Sequence, residues 1–171
     1  MTSRYILFCL VFALISCKQT PKDTVETTYY FIRHAEKDRT DPTNRNPELT
    51  EAGHERSRQW AIYFKDIPLD AVYSTDYKRT TYTAVQTAIS KGLEVQLYDP
   101  RNLNDSTFVA NTAGKTVLVV GHSNTTPAFV NAVLDEAKYE DIDDTNNGNI
   151  YTVQLYTSGI KTDAVQRIEP N

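Results

Sequence analysis

Cysteine, glycine and proline are all scarce in this chain of 171 residues, which has two Cys, six Gly and seven Pro, together with one Met, one Trp and three His. So little Gly and Pro excludes collagen-like and low-complexity architectures. An excess of basic residues is also missing: 18 Lys and Arg stand against 22 Asp and Glu, a formal net charge of -4. Binding a nucleic-acid backbone depends on clustered Lys and Arg releasing counterions, so this balance argues against nucleic acid as a partner. No HExxH and no paired Cys/His spacing is present, so no metal site and no cofactor is predicted. What remains is 40% hydrophobic and 23% charged, ordinary values for one globular domain.

The one long apolar run is at the start. Arg4 precedes Tyr5 to Ser16, a stretch whose only clearly polar member is its last residue. It falls short of the roughly 20 apolar residues that cross a bilayer, and Lys18-Gln19-Thr20-Pro21-Lys22-Asp23 follows at once. Residues 1–16 are therefore predicted to be a signal peptide. Leu14-Ile15-Ser16-Cys17 resembles the lipoprotein cleavage box, in which the Cys becomes the lipid-modified first residue of the mature chain. The alternative is a Cys that simply follows an ordinary signal peptide. On the first reading Cys17 anchors the protein at the membrane of a bacterial cell envelope, residues 17–27 hold the anchor and a polar tether, and residues 28–171 form the domain. Cys9 would leave with the signal, so the mature chain would have no disulfide and depend on its core.

Beyond the tether the pattern alternates. Thr28 to Ile32, Ala71 to Ser74, Leu93 to Leu97 and Val117 to Val120 read as strands, the last fully buried. Thr50 is a good N-cap for a helix with Trp60, Tyr63, Phe64 and Ile67 at helical spacing. Residues 78–90 carry a second helix, and Pro127 suits the first turn of a third reaching about Ala137. Strands separated by helices imply βαβ units. The predicted fold is α/β, three layers (α/β/α) around a mostly parallel mixed sheet. Ile150 to Tyr156 and Ile160 to Ile168, joined at Thr157-Ser158-Gly159, close one edge as a C-terminal hairpin.

In an open α/β sheet, ligands bind beyond the carboxyl ends of the strands. There the chain reads Arg33-His34-Ala35-Glu36 after the first strand, Ser74-Thr75-Asp76 with Arg79 after the second, and Gly121-His122-Ser123-Asn124 after the fourth. Two Arg and two His would converge. Guanidinium groups fork onto phosphate oxygens with charge-assisted bonds of about 1.5–3 kcal/mol each, whereas they would repel a metal ion. The expected ligand is a small phosphorylated molecule.

Arg33-His34-Ala35-Glu36, Leu49-Thr50-Glu51-Ala52-Gly53, Ser74 to Arg79 with Thr83-Ala84, and Val119 to Asn124 together resemble, in order, the motifs of the histidine phosphatase superfamily, with its phosphoglycerate-mutase-like fold. The resemblance spans residues 28–168. It implies that His34 attacks phosphorus through Nε2 and forms a phosphohistidine that water hydrolyses, while Arg33, Arg79 and a positively charged His122 hold the phosphoryl oxygens. It also implies a carboxylic acid after the third strand to protonate the leaving group. Asp105, in Leu103-Asn104-Asp105, is the candidate and Asp99 the rival; phosphohistidine phosphatases of this superfamily can lack the acid. The resemblance therefore implies a metal-independent phosphatase of phosphate esters. The alternatives are a phosphohistidine-protein phosphatase or a non-catalytic phospho-ligand-binding lipoprotein. Asp76 is predicted to cap the helix bearing Arg79, and His54 to be a surface residue. Glu36 and Lys37 fit either substrate contact or solvation. Ser123 fits phosphate contact or helix capping. Substrate choice is expected to lie in loops 39–47 and 99–113.

Overall fold

Alternation along the central strands sets the layers. In the computed structural model, which describes residues 22–168, β1 (Val25–Arg33) turns Tyr29 and Phe31 to one core and Tyr30 and Ile32 to the other. β4 (Thr116–Gly121) divides Val117 and Val119 from Leu118 and Val120, and β2 (Ala71–Ser74) divides Tyr73 from Val72. Strands apolar on both sides need helices on both. α1 (Glu51–Tyr63) and α2 (Lys78–Lys91) cover one face, burying Trp60, Ala84 and Ala88. α3 (Ser106–Thr112) and α4 (Thr125–Leu134) cover the other with Phe108, Phe129, Val130 and Val133.

With β3 (Val95–Leu97), β5 (Asn149–Tyr156) and β6 (Lys161–Arg167), the sheet runs β3-β2-β4-β1-β5-β6. The first four strands are parallel; β5 pairs antiparallel with β1, and β6 with β5, as the predicted hairpin. Register brings three strand ends level, since Arg33 lies opposite Gly121 and Ser74 opposite Val120. The loops after β1, β2 and β4 therefore share one edge. Because β5 runs the other way, the segment leading into it opens on that same edge.

Several boundaries differ from expectation. β1 begins at Val25, inside the predicted tether, and Asp23 is tied to the β5–β6 turn by bonds from Ser158 and Thr157. α1 stops at Tyr63, and Ile67 reaches the core from a turn, as the approach to Pro68 disfavours helix at the residue before it. α4 ends at Leu134, where Asp135 turns into the left-handed region at φ 59°. α3 was not expected. The predicted signal peptide and Cys17 lie outside the described residues.

Candidate active site

Arg33, the last residue of β1, is 1% exposed, and His34, the next, is 3% exposed. The His34 N–H donates to the Gly121 carbonyl (2.9 Å), and the His34 carbonyl accepts from Asn147 Nδ2 (2.8 Å), so the turn after β1 is fixed from β4 on one side and from the segment before β5 on the other. The ring is fixed as well. Nδ1 lies 2.7 Å from the Ala35 carbonyl, which can only accept, so Nδ1 carries the proton and Nε2 keeps its lone pair. α1 clamps the loop from outside: the Thr50 N–H bonds the Glu36 carbonyl (2.9 Å), Arg56 grips the Glu36 carboxylate, and Gly53 packs so close that a Cβ there would sit 2.2 Å from the Glu36 oxygen. Only glycine permits that approach.

His122, after β4, faces His34 with ring centroids 5.6 Å apart, and its Nε2 meets Thr75 Oγ1 at 3.0 Å. Arg79 enters from the first turn of α2, its guanidinium 4.5 Å from the Tyr77 ring centre. Arg33 donates from Nη1 to the carbonyls of Asp143 (2.8 Å) and Asn146 (3.1 Å) and from Nη2 to Asp144 Oδ1 (2.6 Å). These groups line a cleft of about 320 Å³. Five buried side-chain polar atoms lack a partner among the described residues; three are guanidinium nitrogens, Arg33 Nε and Arg79 Nε and Nη1. Buried donors of this kind call for an acceptor.

The electrostatics agree. Burial, then the charges of Arg33, His122 and Arg79, hold the His34 pKa at about 3 against the opposing effect of the Ala35 bond. Burial, Arg79, Lys37 and Arg33 hold His122 at about 4, so it is neutral at pH 7, not the cation that was expected. Burial also lowers Arg79 from its ordinary value. The site is an electropositive hole in which both imidazoles are kept unprotonated.

The family model of the histidine phosphatase superfamily, branch 1, matches residues 29–101. Over that segment the chain resembles the histidine phosphatase superfamily. Solved structures share its fold. A mycobacterial glucosyl-3-phosphoglycerate phosphatase, solved with VO3, is 13% identical with a TM-score of 0.63, covering 85% of this chain and 100% of its own. A phosphoserine phosphatase from Entamoeba histolytica, in complex with 3-phosphoglyceric acid, is 18% identical with a TM-score of 0.64, covering 84% and 98%. A protein named as the phosphohistidine phosphatase SixA from Agrobacterium tumefaciens is 20% identical with a TM-score of 0.60, covering 85% and 99%. No curated protein sequence matches the chain.

In this chain Arg33, His34, Arg79 and His122 come together in one cleft, and Asp105 does not join them. Asp105 is the N-cap of α3, its Oδ1 accepting from the Phe108 N–H at 2.7 Å, and it faces a separate cavity. The sequence that looked like an acid segment is a helix start. Asp99 lies against Arg101, whose hydrogen bonds hold it down to about 2. Asp76 does not cap α2: Tyr77 occupies the N-cap position, and the Lys78 N–H is bonded instead by Asn46 Oδ1 from the loop after β1. Asn124, rather than Ser123, occupies the α4 N-cap position, and Ser123 lines the cleft. His54, expected at the surface, is half-buried on α1 against the Tyr82 ring of α2. Sequence reasoning missed Asp144, which hydrogen bonds from Arg39 and Arg33 hold at about 2. It also missed Asn147. Among the described residues no cluster of His, Cys, Asp or Glu is arranged to hold a metal ion.

Proposed function

We propose that the chain is a phosphatase that works through a phosphohistidine on His34, without metal or cofactor, and is held at the bacterial cell envelope by lipid on Cys17. The single observation that supports the reaction most is the set of buried, unpartnered guanidinium nitrogens of Arg33 and Arg79 around a neutral imidazole whose Nδ1 is committed to the Ala35 carbonyl. A phosphoryl group in the cleft supplies the missing acceptors. Nε2 of His34 then attacks phosphorus, the P–O bond to the leaving group breaks with its electron pair, and water later hydrolyses the P–N bond. Arg33, Arg79 and His122 stabilise the charge on the phosphoryl oxygens, a role in which losing one preorganised donor costs about 2.7–4 kcal/mol.

Brief mixing of the protein with p-nitrophenyl phosphate, followed by mass spectrometry, is expected to place phosphate on the peptide containing His34. His34→Ala should abolish turnover, and Arg79→Ala or His122→Ala should slow it roughly a hundredfold. Activity should survive exhaustive chelation. Phosphate on another residue, or activity that returns only with a divalent ion, would refute the mechanism. Binding without turnover would leave the protein a phospho-ligand receptor.

A second reading follows from where the carboxylates are. Asp105 caps a helix, Asp99 is paired with Arg101, and Asp144, the carboxylate that lines the cleft, is paired with Arg33 and Arg39. With no free carboxyl group beside the phosphoryl site among the described residues, leaving groups that need little protonation are favoured. Phosphoramidates such as phosphohistidine are of that kind, and the SixA-like neighbour is named for that substrate. Faster turnover of a phosphohistidine peptide than of an alkyl phosphate would select this reading.

A further inference from the structure

Among the residues lining the cleft stands a single carboxylate, Asp144, against three cations, Arg33, Lys37 and Arg79. An acid is out of place in a hole suited to a phosphoryl group. Of the three cations, Arg33 alone is paired with an acid among the described residues, by the 2.6 Å bond from its Nη2 to Asp144 Oδ1. The other oxygen of Asp144 accepts from Arg39 Nη1 at 2.8 Å. One carboxylate is thus shared by two guanidinium groups, one in the cleft and one on the loop after β1.

Asp144 is not what holds Arg33 in place. Nη1 of Arg33 donates to the carbonyls of Asp143 and Asn146, and that segment is fixed by bonds of its own: Asp143 Oδ1 accepts from the Thr145 N–H, and Asn146 Oδ1 from the Gly148 N–H. The pair that does clamp a loop is built differently, since Arg56 takes both oxygens of Glu36 and neither residue lines the cleft. What Asp144 supplies is charge. A guanidinium only 1% exposed is costly to keep without a counter-ion, and hydrogen bonds from Arg39 and Arg33 hold the Asp144 carboxyl at about 2, ionised throughout the neutral range. Nε of Arg33, buried and without a partner, neighbours Nη2 on one edge of the planar group, the edge with which arginine forks onto carboxylate or phosphate. A phosphoryl oxygen that takes Nε therefore comes up beside Asp144, and two anions meet at one guanidinium. The Asp144 side chain is 65% exposed, so it can turn toward solvent where the buried Arg33 cannot.

We infer that Asp144 is an internal competitor of the phosphoryl group: it neutralises Arg33 while the cleft is empty, lowers the affinity of the cleft for phosphate, and so hastens release of the inorganic phosphate formed in each turnover. This rests on the reading of the cleft as a phosphoryl site. Without such a competitor the cleft traps its own product, because the cations that receive a substrate's phosphoryl group receive free phosphate as well. Asp144 acts through Arg33 and takes no part in the transfer itself.

The test compares the full chain in detergent with its Asp144→Asn variant, which keeps an oxygen to accept from Arg33 and loses only the charge. Three quantities are recorded: calorimetric binding of inorganic phosphate at low salt, inhibition of p-nitrophenyl phosphate turnover by phosphate, and thermal unfolding with and without phosphate. Phosphate should bind Asp144→Asn about fivefold more tightly, the upper range for one exposed charge contact, and inhibit it at correspondingly lower concentration. Added salt should shrink the difference. In the absence of phosphate the variant should unfold at a lower temperature than the wild type, and phosphate should raise its midpoint by more. Arg39→Gln, which leaves Asp144 to Arg33 alone, should weaken phosphate binding in the wild-type background and do so much less in Asp144→Asn. An affinity for phosphate that is equal or weaker in Asp144→Asn means that the carboxylate merely aims Arg33, and overturns the proposal even if turnover is normal. If the variant binds phosphate more tightly and neither protein hydrolyses a phosphate ester or a phosphoramidate, the competition for Arg33 stands and the phosphatase reading falls.

Discussion

His34 and His122 couple the chemistry of the site to the stability of the fold. His34 is buried and His122 half-buried, and each titrates lower when folded, at about 3 and about 4, than an unfolded His near 6.5. Between those values the unfolded chain binds more protons, so the stability these groups contribute is fully present above about pH 6.5 and is lost as pH falls through the folded values. Urea denaturation at pH 7 and pH 4.5 should therefore show a lower midpoint in acid, and His34→Ala should flatten that decline because its unfolded state has one fewer group to protonate. Equal declines in the two proteins would contradict the burial argument. Asp105 is tested on the same scale. As the cap of α3 it should cost about 1 kcal/mol when changed to Ala, and Asp105→Asn should restore the cap. Neither change should discriminate between p-nitrophenyl phosphate and an alkyl phosphate. A loss confined to the alkyl phosphate in Asp105→Asn would return the residue to the role of general acid.

The elements that matter most to the site are those that fix the loop after β1. Gly53 on α1 lies against the Glu36 carbonyl with no room for a methyl group, so Gly53→Ala must displace either the helix or the loop that carries His34. We expect a loss of about 1–3 kcal/mol in stability, the usual scale of overpacking, and at least a tenfold fall in kcat/KM, measured by thermal unfolding and steady-state kinetics. A variant with unchanged kinetics would show that the clamp does not position the histidine. Most of this architecture was legible in the sequence, because it rests on local signals: apolar strands, Thr50 as a cap, and Arg-His or Gly-His at strand ends. The antiparallel β5 was harder to use. Inspecting the residues after each parallel strand finds Arg33, His34, Arg79 and His122, but the side chains that complete the edge, Asp144 and Asn147, precede β5 and meet the others only because that strand runs backwards. Asp105 misled for the opposite reason, since the carboxylate three residues before Phe108 suits a helix start as well as it suits a catalytic segment.

At the scale of the whole molecule, β1 links the two ends of the proposed function. Its first residue, Val25, follows a segment tied to the β5–β6 turn through Asp23, and its last, Arg33, opens the site. Nine residues of strand at about 3.3 Å each separate those ends by roughly 25–30 Å. A lipid on Cys17 would therefore attach the domain by the edge of the sheet opposite the cleft, leaving His34 facing away from the bilayer and open to soluble substrates. The anchor should then be separable from catalysis. Cys17→Ser is expected to move the protein out of the membrane fraction, as soluble chain or as uncleaved precursor, while kcat/KM on a small aryl phosphate stays within about twofold of that of the lipidated form in detergent. Mass spectrometry of the wild-type N-terminus should find the lipid on Cys17. If Cys17→Ser still fractionates as a mature membrane protein, Cys17 is not the anchor; if releasing the domain changes turnover of a soluble substrate by tenfold or more, the site does not face away from the membrane.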